Sequence, residues 1–597
     1  MKRNPGENLF LIVVLAALAG AFYVLAPPGL ASNEEGVQYV QMKNIVLNGS
    51  FEIQAQGLAA GFDAEDLAGP RGLLEARDGR LYAIAPPLFP WAASLFYPVF
   101  GEKAVVFAPI LFLFLAALVM GLTLDRMMRK NGLYWLLLAA FLFGSPVFMQ
   151  GLVFTGAALA LLLIVSALWL LASHFGGNPS RAKLFLASVL VGASAIVRPE
   201  CLVIVFSYYL CTAIVLFAQK RLGDLWTVFA SGVFCLAALV LHDIFLHGRF
   251  PGPYLAMVLP SYALSPIRMA ILCGAIGLSA VLLILSRQEG IGPVRKAVTT
   301  VLPVIILLGA VVVTAARISV SPLMALFPAV LFVFYGLPER LERLKRGEGT
   351  LEGILAGTVV LCLVLGAAIL LPGPRIVLSV WLPIVPLVVV LLALERRTLF
   401  SAPGMAAVLA FFIGVAIVNG FQESKEQILR YKGYNAARIA FLERHTTAGD
   451  AVVFDDAGSL EHAGPLYFER VFLVARGNGD RERLVGRLRE RGIDGIYAWT
   501  VHPLAIKGFD PYSGQIPPAF PPPPGETSCC SKSCKKKEDY LVRLDARASL
   551  PKAPAGEDRD CEFESDGACS RRQRRGRNGR PSCPVSQHAL LLPYRGL

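Results

Sequence analysis

The residues best placed to do chemistry in this sequence are two adjacent carboxylates, Glu34 and Glu35, within Ser32-Asn-Glu-Glu-Gly-Val-Gln-Tyr39. They follow the first long apolar run and lead into a mixed-polarity helical stretch that ends near Leu47. Two roles fit them. In one, Ser32 is a helix N-cap and Glu35, three residues on, closes a capping box, with both carboxylates favoured by the positive end of the helix dipole. In the other, the pair stands at the mouth of a helical bundle, where polar groups are costly unless they face water or a ligand, and one of them is a general base. Other candidates carry less. Asp455, Asp456 and His462 read as strand-end turn residues rather than a metal site. Cys529, Cys530, Cys534, Cys561, Cys569 and Cys583 lie near the C-terminus without a Cys-x-x-Cys pair, so a zinc site is poorly supported. The basic run Arg571-Arg-Gln-Arg-Arg-Gly-Arg577 has the composition of a nucleic-acid patch, but it belongs to a solvated tail on the outer side of a membrane, and no nucleic acid is expected there.

The elements that must position the acid pair are membrane helices. The chain has 597 residues, is 55% hydrophobic and 17% charged, where a soluble protein carries roughly 25% charged residues. The apolar residues fall in blocks long enough to cross a hydrocarbon core of about 30 Å. Spans are expected near 9–26, 104–124, 132–148, 152–173, 183–198, 200–218, 225–245, 269–286, 297–315, 321–337, 350–371, 376–394 and 403–420. The first follows Lys2 and Arg3 without a small-residue cleavage site and reads as a retained signal anchor. Lys and Arg cluster in alternate short loops, as in Arg126, Arg129 and Lys130, or Arg343, Lys345 and Arg346. That bias places the N-terminus in the cytoplasm and everything after residue 420 outside. The fold class is thus a polytopic α-helical membrane protein of about thirteen helices, with a small outer C-terminal α/β domain. Residues 1–420 form the transmembrane core, interrupted by a long outer loop at 27–102. Residues 421–510 alternate apolar runs with a charged helix and read as an α/β unit with a partly parallel sheet. Residues 511–597 are a Pro-rich hinge and a tail expected to be disordered.

Several motifs, in order, carry a family resemblance. An acidic pair followed by Tyr after the first span resembles the Asp-Glu motif of the GT-C membrane glycosyltransferases, of the family 39 and aminoarabinose-transferase type. The stretch from Asp78 through Arg80, Tyr82 and the Pro86-Pro87 pair, ending in Phe96-Tyr-Pro-Val-Phe-Gly101, is similar to that family's. So are the Arg-Pro-Glu turn at Arg198–Glu200 and the loop from His242 to Tyr254 that contains Asp243 and Arg249. The chain departs from the pattern at three places: Glu rather than Asp at position 34, Gly156 where an acid commonly follows Thr or Ser, and Ser321 where an Arg is common.

The resemblance implies a glycosyltransferase that takes a sugar from a polyprenyl-phosphate donor to a lipid, glycan or protein acceptor on the outer face of the cytoplasmic membrane. Glu34 is then the candidate base, with Glu35 second or structural. Arg198 and Arg317 are candidates for the donor phosphate, because guanidinium groups pair phosphate oxygens bidentately. Tyr39, Arg80, Tyr82, Asp243, Arg249 and Tyr254 are candidates for lining sugar or acceptor. Direct attack would invert the anomeric carbon. No cofactor is assigned, and the missing acid at 156 weakens a divalent-metal reading. The alternatives are a membrane transporter, which charge-poor spans disfavour, and a catalytically inactive scaffold that presents the α/β domain.

Overall fold

A computed structural model describes residues 5–253, 340–370, 383–394, 428–500 and 540–543. Short breaks fall at 27–28, 64–65, 68–73, 78–79, 129–130, 144–146, 341–342, 345, 455–463 and 476–477. The expected spans at 269–286, 297–315, 321–337 and 403–420 lie outside the described residues, as do Tyr254, Arg317, Ser321, Asp455, Asp456 and His462.

The apolar blocks fold as helices over most of the described residues, although the helix in the expected span 132–148 ends at Leu142 and the one in 152–173 begins only at Ala157. They are α1 (Pro5–Leu25), α4 (Ala104–Met127), α5 (Gly132–Leu142), α6 (Ala157–Phe175), α7 (Arg181–Val197), α8 (Leu202–Ala218), α9 (Leu222–His247), α10 (Thr350–Leu370) and α11 (Ile384–Leu394). Among the described residues four helical stretches are long and apolar enough to cross a membrane: Tyr97–Met127, Ala157–Phe175, Pro199–Ala218 and Leu222–His247. Small residues permit the close crossings that such bundles need. At Gly192 on α7 a Cβ would overlap Cys235 of α9, so the two helices meet there at backbone distance. α9 keeps a broad apolar face exposed, including Trp226, Phe229, Val233, Phe234 and Phe245, as a lipid-facing helix does.

Two helices on one side of this bundle are of another kind. α2 (Asn33–Asn48) has Ser32 as N-cap, whose hydroxyl accepts from the Glu35 amide at 3.3 Å, and it ends at Gly49 in the left-handed conformation, φ 63°. It buries polar side chains, among them Glu35, Gln38, Gln41, Lys43 and Asn44, so it cannot lie in lipid and is enclosed by protein instead. α3 (Leu88–Ser94) packs against it. The same loop supplies a three-stranded antiparallel sheet, in the order β1 (Glu52–Ile53), β3 (Arg80–Ala83), β2 (Leu74–Arg77).

The C-terminal α/β unit begins with α12 (Arg430–His445) and has a four-stranded sheet in the order β5 (Val471–Val474), β4 (Ala451–Phe454), β6 (Ile496–Thr500), β7 (Tyr540–Arg543). β4, β5 and β6 are parallel; α13 (Asn478–Glu490) makes the crossover between β5 and β6. β7 pairs antiparallel with β6, Tyr497 opposite Arg543 and Thr500 opposite Tyr540. This moves the expected end of the domain outward from residue 510. Part of the segment expected as tail is an edge strand, because Tyr-Leu-Val-Arg has strand-forming residues and completes the open edge of β6.

Loop and domain are locked together. The Val474 amide donates to the Asp66 carbonyl at 2.9 Å, extending the sheet edge onto the loop. The Asp66 carboxylate pairs with Arg483 at 2.7 Å and Arg487 at 3.1 Å, and Phe62 lies beneath the guanidinium groups of Arg487 and Arg491. Lys43 of α2 donates to the Pro465 carbonyl at 2.9 Å, and Asn435 of α12 to the Leu30 carbonyl at 2.6 Å. The loop and the α/β unit therefore occupy the same side of the helical layer.

Candidate active site

The site is assembled by two chain turns that approach from different helices. The first is the N-terminal turn of α2, which carries Glu34. The second follows α7. Pro199 disfavours the helical conformation for the residue before it, and Arg198 is accordingly extended at φ −141°, ψ 104°. A 3₁₀ turn over Pro199–Cys201 follows, closed by the Cys201 amide donating to the Arg198 carbonyl at 2.8 Å. The side chains of Arg198 and Glu200 thus lie side by side.

Arg198 Nη2 stands 3.4 Å from Glu34 Oε1 and 3.3 Å from Glu200 Oε1. Gln38, one turn along α2, donates from Nε2 to Glu34 Oε1 at 3.3 Å. The Glu34 side chain is 33% exposed, against 13% for Arg198. Enclosure by protein raises the Glu34 carboxyl above the ordinary glutamate range; Arg198 opposes the rise, and Glu200 and Glu35 add to it. Because a third of the side chain still meets solvent, screening tempers that rise. Beside this cluster the Gln38 Oε1 and the Thr155 hydroxyl are buried without a hydrogen-bond partner among the described residues.

Glu35 has a different place. It is fully buried, its Oε1 accepts from the Ala31 amide and its Oε2 from the Phe154 amide, both at 3.0 Å, and Lys432 Nζ lies 3.4 Å from Oε2. The Lys432 side chain is 1% exposed. With both oxygens occupied and no route to solvent, Glu35 ties α2 to α12 and to the turn before α6. Of the two roles expected for Glu35, second carboxylate or structural, these contacts suit the structural one. Ser32 caps α2 as the capping box requires, but the Glu35 side chain reaches back to the Ala31 amide rather than to that of Ser32.

Gly156 shows why an acid is missing there. A Cβ at this position would come within 2.9 Å of Val197 Cγ1, 3.2 Å of the Val197 carbonyl and 3.5 Å of Arg198 Cγ. The space that a larger residue would need is taken by the end of α7. Among the described residues no three His, Cys, Asp or Glu side chains converge as a metal site.

The remaining candidates fall in other places. Tyr39 is buried, and its hydroxyl donates to Glu102, which also accepts from Tyr97 at 2.7 Å and from Lys43 at 3.1 Å. Desolvation and then the Glu102 charge raise the Tyr39 pKa, so its phenol stays a donor. Tyr39 therefore braces α2 instead of lining a surface. Arg80 pairs with Glu52 at 3.1 Å on an exposed sheet face, and Tyr82 sits on β3 opposite Glu52 and Glu75. Arg249 pairs with Glu75 of β2 at 2.7 Å, with His247 at 3.5 Å from the same carboxylate. Asp243 is buried, accepts from the Gly252 amide at 2.7 Å and meets His242 Nδ1 at 3.1 Å. Through Glu75, Arg249 and His247 fasten the hairpin to the end of α9. The structure thus brings Glu34 and Arg198 together, and gathers Asp243 and Arg249 into a second cluster.

No protein-family model matches the sequence, and no curated protein does. Solved structures do match. ArnT from Cupriavidus metallidurans bound to undecaprenyl phosphate aligns with a TM-score of 0.51 at 11% identity, covering 91% of this chain and 99% of that one. The fold is of GT-C type. The apo state of the same protein aligns at a TM-score of 0.47 and 11% identity, over 90% of this chain and 97% of that chain. The Archaeoglobus fulgidus oligosaccharyltransferase tethered with an acceptor peptide aligns at 0.45 and 13% identity, over 84% and 70%. The chain is accordingly a helical membrane protein of that architecture. No role was assigned from the sequence to three residues at or behind the site, although Glu200 stands in the Arg-Pro-Glu turn singled out there. Gln38 was legible as the i+4 neighbour of Glu34 and Glu200 as the acid two residues from Arg198, whereas Lys432, about four hundred residues from Glu35, left no local signal.

Proposed function

We propose that this protein is a glycosyltransferase that moves a sugar from a polyprenyl-phosphate donor to a hydroxyl or amine of a lipid, glycan or protein acceptor. The reaction takes place on the outer face of the cytoplasmic membrane. The observation that carries the reading is the pairing of Glu34 with Arg198, 3.4 Å apart, at a partly exposed position where a polar helix meets the bundle. Glu34 takes the acceptor proton as the new bond to the anomeric carbon forms. The bond from that carbon to the phosphate oxygen breaks with its electron pair staying on the phosphate, whose charge Arg198 receives. One carboxylate and one displacement give inversion. A fold shared with a protein solved bound to undecaprenyl phosphate supports a donor of that chemistry. The Gln38 Oε1 and Thr155 hydroxyl, buried and without a hydrogen-bond partner among the described residues, support a polar ligand beside the base.

The test is purified full-length protein in lipid nanodiscs with undecaprenyl-phosphate-linked hexoses and pentoses, scored for loss of the lipid-linked sugar. Turnover lowered by about 10²- to 10⁴-fold in Glu34→Gln is the expected result. Binding of undecaprenyl phosphate with no turnover of any donor would instead favour a catalytically inactive scaffold, and absence of both would sink the proposal.

A further inference from the structure

Arg198 meets two carboxylates, and they hold it differently. Glu200 takes two atoms of the guanidinium: its Oε2 accepts from Nε at 3.4 Å and its Oε1 from Nη2 at 3.3 Å. Glu34 makes its closest approach at Nη2, 3.4 Å away. Glu200 is 9% exposed and fixed by the 3₁₀ turn that Pro199 begins, whereas the Glu34 side chain is 33% exposed. Among the described residues two carboxylates face one guanidinium, so negative charge is in excess there. A sugar phosphodiester brings one further negative charge and competes with a carboxylate for Arg198. The carboxylate outside the two-atom grip, with access to solvent, is the one that yields.

We propose that Glu200 is a positioning residue: it grips the Nε–Nη2 edge of Arg198, so that a donor phosphate exchanges with Glu34 on the guanidinium and leaves that carboxylate free to take the acceptor proton. The proposal deepens the donor reading of Arg198 and Glu34 given above and rests on it. Glu34 then becomes an unpaired carboxylate only when the phosphate is in place.

The charged groups around Glu34 among the described residues are Arg198 and Glu200 from the turn after α7, and Glu35 on its own helix. Behind Glu35 stands Lys432 from α12, already paired with it. Removing the Glu200 charge leaves the whole guanidinium to Glu34 and takes away a repelling neighbour. Both changes favour ionised Glu34.

Difference infrared spectroscopy of the full chain, with the Glu34 carboxyl assigned as the band lost in Glu34→Gln, reads this without turnover. In Glu200→Gln the titration midpoint of Glu34 is expected to fall, and in Glu200→Asp, which keeps the charge, to return towards wild type. Adding undecaprenyl phosphate to wild type is expected to shift the Glu34 band, and to shift it less in Glu200→Gln. An unmoved midpoint in Glu200→Gln, or an equal fall in Glu200→Asp, overturns the positioning role; size-exclusion profiles keep misfolded protein out of the comparison. If the midpoint falls as expected and undecaprenyl phosphate binds yet leaves the Glu34 band of wild type unchanged, the phosphate exchange fails and the donor reading stands; if undecaprenyl phosphate does not bind, the donor reading fails as well. The grip of Glu200 on Arg198 then remains as structure alone.

Discussion

A carboxylate that is to take a proton near neutral pH must be neither fully neutralised by a cation nor bathed in water, and the two acids after the first span divide on this point. Glu34 is shared with an arginine that another acid already holds, and its pKa is raised. A positioned general base supplies about 10²- to 10⁴-fold in rate. Glu34→Gln, which keeps the acceptor oxygen for Arg198 but cannot take a proton, is therefore expected to lower turnover by about that factor with little loss of folded protein. Glu34→Asp should be mild; near-wild-type donor loss in Glu34→Gln would remove the base assignment. Because the folded pKa is raised, activity that needs the ionised form appears above the ordinary glutamate range and is lost as pH falls through the folded value. The sign for stability is the reverse. The contribution of Glu34 is present below its unfolded pKa and is lost as pH rises through the folded one. Glu35 behaves as half of a buried pair. Breaking such a pair by removing one partner costs about 3–5 kcal/mol, because the other charge stays buried. Glu35→Gln should therefore unfold at markedly lower denaturant, and the double substitution Glu35→Gln with Lys432→Met should recover much of the loss. Equal stability of the single and double variants would show that Lys432 does not depend on Glu35. The sequence could show an acid pair and its cap, but not which acid is enclosed, since that depends on Phe154 and Lys432, brought in by the fold.

At the scale of elements, period and length were legible and boundaries set by distant partners were not. The runs around 104–124, 183–198, 200–218 and 225–245 coincide with helices because hydrocarbon length and apolar composition alone decide them. In the α/β unit, Ala451–Phe454, Val471–Val474 and Ile496–Thr500 are continuous apolar strands buried by parallel pairing, and their runs are visible without a structure. β7 was not, because Tyr540–Arg543 is a four-residue edge strand between charge-dense flanks, and only the open edge of β6 gives it a place. Shortening the chain at two points separates these contributions. Ending it at residue 546 keeps β7, and membrane-inserted, folded protein with unchanged donor turnover is expected. Ending it at residue 510 bares the hydrogen-bonding edge of β6, which invites pairing between chains. That shorter chain should show a rise in aggregated protein on detergent size-exclusion chromatography. Identical elution of the two chains would mean that β7 adds nothing to the sheet.

For the whole molecule, sidedness decides whether the proposed site can exist, because the candidate base at Glu34 and the C-terminal α/β unit can act together only on one side of the membrane. Several contacts among the described residues join the loop and the α/β unit. Asp66 is held by Arg483 and Arg487, the Val474 amide meets the Asp66 carbonyl, and Lys43 reaches the Pro465 carbonyl. Each involves backbone or charge partners that a bilayer of about 30 Å would keep apart. The contacts fix a relation between loop and domain, and the Lys and Arg bias of the short loops supplies the direction. Reporter fusions after residues 130, 221 and 346 are expected to read as cytoplasmic, and fusions after residues 60 and 440 as external. The two parts of this expectation fail separately. A uniform reversal of all five signals would leave the docking of loop on domain intact and move the reaction to the cytoplasmic face, where the donor would have to be presented from the other leaflet. Opposite signals at 60 and 440 would do more. They would mean that α12 cannot bring Lys432 to Glu35, and the account of the acid pair, of the buried polar helix α2 and of the base it carries would fall with that contact.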